Sequence, residues 1–369
     1  MPTVINGTTG ITFTDNTVQN TAAINFRNRI INGAMVIDQR NAGASVTQGT
    51  GDQYPVDRFL VVGSVASKFT AQRSTTVPAG FINSIICTSS SAYSVGSSET
   101  FVVAQRIEGF NVADLGWGAA GAQSVTLSFW VRSSLTGTFG GALRNSATDR
   151  SYPFSYTVSA VNTWEQKTIT IAGDTTGTWL TDNGIGINLT FSLGTGSTLS
   201  GTAGAWASAN YISATAATSV VGTNGATFYI TGVQLERSST ASSFDFRSIG
   251  QELALCQRYY EKSYNQATVP GTATDVGYSA MNNPEQGTNV YVFNIDKFAV
   301  VKRATPTLAF WDLAGNSNRI TNYTLGGLAR SDNNNSVYSY QGYQQNAVMI
   351  NVQNASTAGT YQWTASSEL

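Results

Sequence analysis

The 369-residue chain contains no histidine. That absence removes every Ser-His-Asp or Cys-His nucleophile system and all His-ligated zinc. Only two cysteines occur, Cys87 and Cys256, far apart and without metal-ligand spacing. They make no disulfide scaffold, and both read as buried free thiols acting as small hydrophobes. Charge is scarce too: 11% Asp, Glu, Lys and Arg, against roughly 25% in an average soluble domain. The net charge is −1 and no basic residues cluster, so the chain cannot release counterions from phosphates, and nucleic acid is not an expected partner. No apolar run approaches the ~18 residues that cross a bilayer, so no membrane insertion is expected. The start, Met1-Pro2-Thr3-Val4, lacks the basic and apolar regions of a secretion signal, which predicts synthesis in a host cytoplasm and export by another route.

Thr, Ser, Asn and Gly take the place of the missing charges. Hydrophobic residues still make up 41%, with 17 Phe, 16 Tyr and 7 Trp, ample for sizeable cores. An uncharged, hydrogen-bonding surface of this kind suits a protein outside the cell or on a particle.

Along the chain, residues 1–23 offer one or two short strands with too little apolar surface to fold alone, and read as a stem or attachment segment. Residues 24–247 carry dense short strands rich in β-branched and aromatic residues at period two. Examples are Phe59–Val62, Phe101–Ala104, Val125–Val131, Lys167–Ile171, Ile187–Phe191 and Thr227–Leu235. With no helical stretch between them they predict antiparallel sheets in a sandwich or jelly roll. Residues 248–262 predict one linking helix, opened by a Ser248/Gln251 capping box, with Leu253, Leu255, Cys256, Tyr259 and Tyr260 on its apolar face. Gly-, Asn- and Thr-rich loops from 263 lead into further strands, so 263–369 is expected to form a smaller β-sandwich. The fold class is all-β: two sandwiches joined by a helix.

Several motifs resemble a family of phage and prophage tail-fibre-like proteins. They are Asn28-Arg29-Ile30-Ile31-Asn32-Gly33-Ala34-Met35, Tyr54-Pro55-Val56-Asp57-Arg58-Phe59, Ser128-Phe129-Trp130-Val131-Arg132-Ser133, Thr163–Ile169, Phe228-Tyr229-Ile230-Thr231-Gly232-Val233-Gln234-Leu235-Glu236, and Glu252–Glu261. The leader Gly7–Phe13 and the ending Trp363–Leu369 are similar to segments of the same proteins, so the resemblance spans nearly the whole chain in order. It implies a virion protein, a tail or head fibre subunit working as a homotrimer. Residues 1–23 would meet other virion proteins, and the fibre would bind a glycan or protein receptor on the host surface. The middle domain is similar to jelly-roll carbohydrate-binding modules. Such modules often hold a structural calcium through an acidic Tyr-Ile-Asp-Asp-Val pattern, where this chain has Thr231 and Gly232, so no calcium is carried over. No metal, cofactor or catalytic residue is predicted.

Glycan hydrolysis would need two flanking carboxyl groups ~5–10 Å apart. Glu108 with Asp114, or Asp149 with Glu165, could offer such a pair, but scattered acids always do, and no enzyme is expected. Glycan binding needs exposed aromatic faces amid neutral hydrogen-bonding groups. Trp117 and Trp206, flanked by Gly and Ala, are the loop candidates, although packing at the sandwich edge is their plainer reading. Trp130, Trp164 and Trp311 lie in strand-like runs and are expected in cores. In the C-terminal part, Asn316–Arg319, Asn334, Tyr338, Tyr340 and Tyr343 form a Tyr/Asn/Ser-rich set with the composition of adaptable binding loops. That set favours an adhesin over the alternative, a structural decoration or connector protein of the particle.

Overall fold

The computed structural model describes residues 4–6, 10–12, 18–19, 26–282, 291–323, 330–332, 337–343, 345, 347–353 and 358–369. Near the N-terminus, β1 (Val4–Asn6), β2 (Gly10–Thr12) and β3 (Val18–Gln19) pair as a small antiparallel meander.

The larger sandwich follows. Its strands are β4 (Val46–Thr47), β5 (Gln53–Val56), β6 (Phe59–Gly63), β7 (Phe69–Ser74), β8 (Ser84–Ser89), β9 (Thr100–Glu108) and β10 (Val125–Ser133). They continue with β11 (Gly137–Arg144), β12 (Ser151–Val158), β13 (Glu165–Ile171), β14 (Ile185–Thr195), β15 (Ser200–Gly201), β16 (Ser213–Ala214) and β17 (Thr227–Glu236). Two six-stranded antiparallel sheets result, ordered β13-β10-β17-β8-β7-β4 and β12-β11-β14-β9-β6-β5. Alternation drives this: Val125, Leu127, Phe129 and Val131 of β10 all point inward and are fully buried. They meet Phe139, Phe154, Phe191 and Phe228 in one aromatic core.

Strand β17 keeps its inward face only by breaking its own period. Phe228 and Ile230 are buried, then Val233 and Leu235, and the parity changes at Gly232. There the pairing with β10 slips between Ser128 and Trp130, and Gly232 takes φ +61°. This is a bulge at a position only glycine fills cheaply. Among the described residues, no group of three or more His, Cys, Asp or Glu could hold a metal.

The helix, α1 (Ile249–Gln257), is shorter than the 248–262 expected. Ser248 has N-cap geometry, but its side chain makes no cap bond. Glu252, not Gln251, is the anchoring side chain, accepting hydrogen bonds from the Asn32 amide and from Arg247. The helix stops because the next residues are claimed by a sheet. β18 (Tyr260–Lys262) pairs with β26 (Ala358–Ser366). Cys256 and Tyr259 still share a buried cluster with Ile31 and Ile37. Cys87 and Cys256 are both buried and free.

The smaller sandwich gathers round β26, which pairs with β18, β19 (Ser279–Asn282), β21 (Thr307–Trp311) and β22 (Thr321–Tyr323), with β23 (Arg330–Ser331) beyond. A second sheet is ordered β20 (Tyr291–Lys297), β25 (Ala347–Gln353), β24 (Val337–Tyr343). Met281, Phe298, Leu308, Phe310, Ile320, Tyr361 and Trp363 form its core.

Where the two sandwiches meet, a group of charged side chains is buried and paired. Arg58 stacks on the Tyr259 ring at 3.5 Å from its centroid, pairs with Glu368 and donates to the Arg106 carbonyl. Arg40 reaches the same Glu368 at 2.8 Å and Asp57 at 3.1 Å, lying 3.7 Å over Tyr260. Glu108, 1% exposed, accepts from Arg258 and from the Tyr259 hydroxyl at 2.6 Å. Burial works to lower the pKa of Arg40 and Arg58, and Glu368 leads the anionic and aromatic neighbours that more than offset it, leaving both raised.

Candidate functional site

Several sequence candidates come together at one end of the larger sandwich. Trp117 and Trp206 lie 5.3 Å apart in an edge-to-face contact, and each packs edge-to-face on Trp179, at 4.7 and 5.4 Å. Tyr152 adds a fourth ring, 5.2 Å from Trp206. The indole N–H groups turn inward: Trp117 donates to the Gln123 carbonyl and Trp206 to that of Ala172. Both rings are half-buried against the main core, so the cluster closes the end of the sandwich. What stays open is a small pocket of about 30 Å³ lined by Leu115, Gly116, Trp117, Trp179 and Thr181. Trp179, the centre of this knot, was missed, although Gly177-Thr178-Trp179 has the same loop composition that singled out Trp117.

Tyr338, Tyr340 and Tyr343 fall on β24, an edge strand, where Tyr340 pairs with Ile350 and Tyr343 with Ala347. Their side chains, and Asn334 altogether, lie outside the described residues. Of Asn316–Arg319, Asn316 donates from both its amides to the buried Asp312.

The four carboxylates weighed as pairs each have partners of their own. Glu108 is locked to Arg258 and Tyr259, Asp114 to Arg29 at 2.8 Å. Asp149 accepts from Asn145, and Glu165 from Lys167 and the amides of Ser159 and Ala160. The hydrogen bonds to Glu165, outweighing its desolvation, hold its carboxyl below the usual range, the opposite of what a general acid needs.

The structure corrects the placement of three tryptophans. Trp130, Trp164 and Trp311 are half-buried rather than core. Phe129 and Val131 point inward, so Trp130 between them must face outward. Register then builds an aromatic row on the outer face of the β13-β10-β17-β8-β7 sheet. Trp130 stands opposite Gln166 and Thr231, and Arg132 opposite Tyr229, which is opposite Ile86, itself opposite Gln72. Trp164 meets Tyr229 edge-to-face at 6.0 Å, and the Arg132 guanidinium lies 4.7 Å from the Tyr229 ring centroid. Gln166, Thr168 and Thr170 are exposed beside them. A segment accepting through its Ser238 and Ser239 carbonyls covers Thr126 and bonds Thr170 at one end of this face, away from Trp130 and Tyr229.

The row runs on past Gly232, where an added Cβ would come within 2.7 Å of Phe81 and 3.0 Å of Trp130. Phe81, Phe244 and Phe246 then form a triad with centroids 4.7 to 5.3 Å apart. They wall a groove of about 300 Å³ with Ile82 and Ile249.

No protein-family model and no curated protein sequence matches this chain. Among solved structures, it is similar to the enzymatically active domain of tailspike protein 4 of bacteriophage CBA120, at 11% identity over 57% of this chain and 21% of that one, TM-score 0.32. A putative sugar binding protein from Bacteroides thetaiotaomicron aligns at 11% identity over 57% of this chain and 100% of its own, TM-score 0.34. The family 11 carbohydrate-binding module of a Clostridium thermocellum cellulosomal cellulase aligns at 11% identity over 52% and 98%, TM-score 0.28.

Proposed function

We propose that this chain is a non-catalytic adhesin, a phage fibre subunit that recognises glycan on the host surface through the outer aromatic face of its larger sandwich. The observation that carries the reading is the row Trp164–Tyr229–Trp130. Trp130 and Tyr229 stand on sheet strands and Trp164 immediately before β13, all three half-exposed and bordered by Gln72, Gln166, Thr168 and Thr88, which hydrogen-bond without charge. Sugar rings offer just two handles, an apolar C–H face and a rim of hydroxyls, and such a surface matches both. Sheet strands hold Trp130 and Tyr229 more firmly than loops would, so little entropy is lost on binding there.

The fibre role rests on the ordered motifs that resemble tail-fibre-like proteins. With it come a homotrimer, a place in the virion, and contacts to other virion proteins through residues 1–23. Weak single-site affinity would then be multiplied by presenting several faces together. The test is binding of purified protein to host envelope polysaccharide, for wild type and Trp130→Ala, with reducing ends followed in the same samples. Binding that falls at least tenfold in the variant, with no release of reducing sugar, supports the reading. Steady release of reducing sugar overturns the non-catalytic part. Incorporation into particles without any envelope binding favours the decoration or connector role.

A further inference from the structure

Of the five buried cations among the described residues, three have an acidic side-chain partner and two, Lys262 and Arg144, have none. Arg29 has Asp114, Arg58 has Glu368, Lys302 has Glu261, and Lys262 donates to the carbonyls of Gln266 and Thr268. Arg144, only 8% exposed, has among the described residues a single partner, the side-chain oxygen of the exposed Asn210 at 2.6 Å. Its Nε is buried with no partner at all. A guanidinium carries five donors and a full charge, and leaving both unmatched out of water is costly.

The surroundings of Arg144 are arranged in a row. On the outer face of the second sheet, Arg144 of β11 stands opposite Asn188 of β14, and Asn188 opposite Arg106 of β9. Arg106 is already neutralised by Asp52, through bonds of 2.5 and 3.1 Å. The Asn188 side-chain oxygen is buried and unpartnered. Arg106 also donates to the oxygen of the terminal residue Leu369, whereas no acidic side chain bonds Arg144 among the described residues. Burial, then the neighbouring Arg106, pulls its pKa down to about 10, so it stays cationic at neutral pH but strained in that state.

We propose that Arg144 anchors an anion subsite, taking the carboxylate of an acidic sugar at the edge where Asn210 reaches the surface. A carboxylate supplies two acceptors to the planar fork and the negative charge that no acidic side chain among the described residues gives Arg144. The acidic sugar rests on the glycan reading above, whereas the anion site stands on Arg144 alone.

The experiment uses full-length protein with glucuronate as probe and glucose as control, followed by the Arg Nε–H resonances and by thermal stability. Wild type should bind glucuronate and not glucose, with the Arg144 resonance shifting, and Arg144→Met should lose at least tenfold in affinity. In the absence of any anion, Arg144→Met should melt no lower than wild type, because an uncompensated buried charge has been removed. A purely structural arginine would instead leave the variant less stable. Glucuronate binding that is equal in both proteins, or absent from both, overturns the subsite, whatever neutral oligosaccharides do at Trp130. Arg144-dependent glucuronate binding with no neutral glycan bound at Trp130 sustains the subsite and sinks the sheet-face reading instead.

Discussion

The joint between the sandwiches and the open sheet face divide the chemistry of this chain between them. The joint holds charge where water is excluded: Arg40, Arg58, Arg258, Asp57, Glu108 and Glu368 bonded into one lattice. The sheet face holds rings and amides where water is present, with Arg132 and Lys167 as its nearby cations. In a chain with only 11% charged residues, the burial of those six shows that the motifs resembling fibre proteins build an internal joint. Asn28 bonds to the Val233 carbonyl and the Leu235 amide, Arg247 reaches the Asn28 and Ile30 carbonyls, and Asn32 binds Glu252. Buried ion pairs of this kind add little net stability over apolar packing, but they fix one geometry and are costly to break singly.

The comparison is broken most forcefully at Glu368, which serves two arginines. Glu368→Gln should cost about 3–5 kcal/mol, because Arg58 stays buried without its anion and Arg40 keeps only Asp57. Denaturant titration measures it. A loss under about 1 kcal/mol would mean that the joint is solvated and the contrast with the sheet face false.

Next in size is Gly232→Ala, which forces a side chain into φ +61° with Phe81 2.7 Å from the new methyl. The backbone alone should cost about 1–2 kcal/mol, and displaced Phe81 and Trp130 should weaken glycan binding as well. Unchanged binding in a destabilised variant would separate the bulge from the site. Trp130→Ala should show the reverse pattern, with affinity down at least tenfold, about 1.4 kcal/mol, and a midpoint of denaturation close to wild type, since the ring is only half-buried.

The strands were legible because period two survives in nearly every one, and β10 shows why the site was not. Val125-Thr126-Leu127-Ser128-Phe129-Trp130-Val131 reads as one apolar run, and Trp130 was placed in the core with its neighbours. Strict alternation from Phe129 would have turned it outward. The joint was beyond reach for another reason. Arg58 and Glu368 are 310 residues apart, and nothing local in Asp57-Arg58-Phe59 names its partner. The helix end failed similarly: Tyr260-Glu261-Lys262 has helical composition, but pairing with Ser366, Ala365 and Thr364 wins.

The smallest effect sharpens the contrast through pH. Lys262 is 6% exposed, and burial, opposed by Asp57 and Asp38, lowers its pKa from 10.5 to about 8. The folded state thus binds fewer protons than the unfolded chain between these values, so this group's penalty is full below about 8 and is relieved as pH rises towards 10.5. Lys302, also lowered by burial, acts in the same direction. Tyr260 and Tyr264 run the other way. Burial raises both from 10.0 to about 12, so the stability they contribute is whole below 10 and lost between 10 and 12. Stability should therefore climb from pH 8 to about 10 and then fall. Lys262→Met should flatten the climb without removing the fall, even if the carbonyls of Gln266 and Thr268 lose their donor and the variant is weaker throughout. Denaturation midpoints at half-unit steps read the slope. Over pH 6–9, by contrast, binding of a neutral glycan at Trp130 should stay level, because the rings and amides of that face do not titrate there. A climb that persists in Lys262→Met would assign it to Lys302, and a binding curve that tracked the stability curve would show that the face and the joint are not independent.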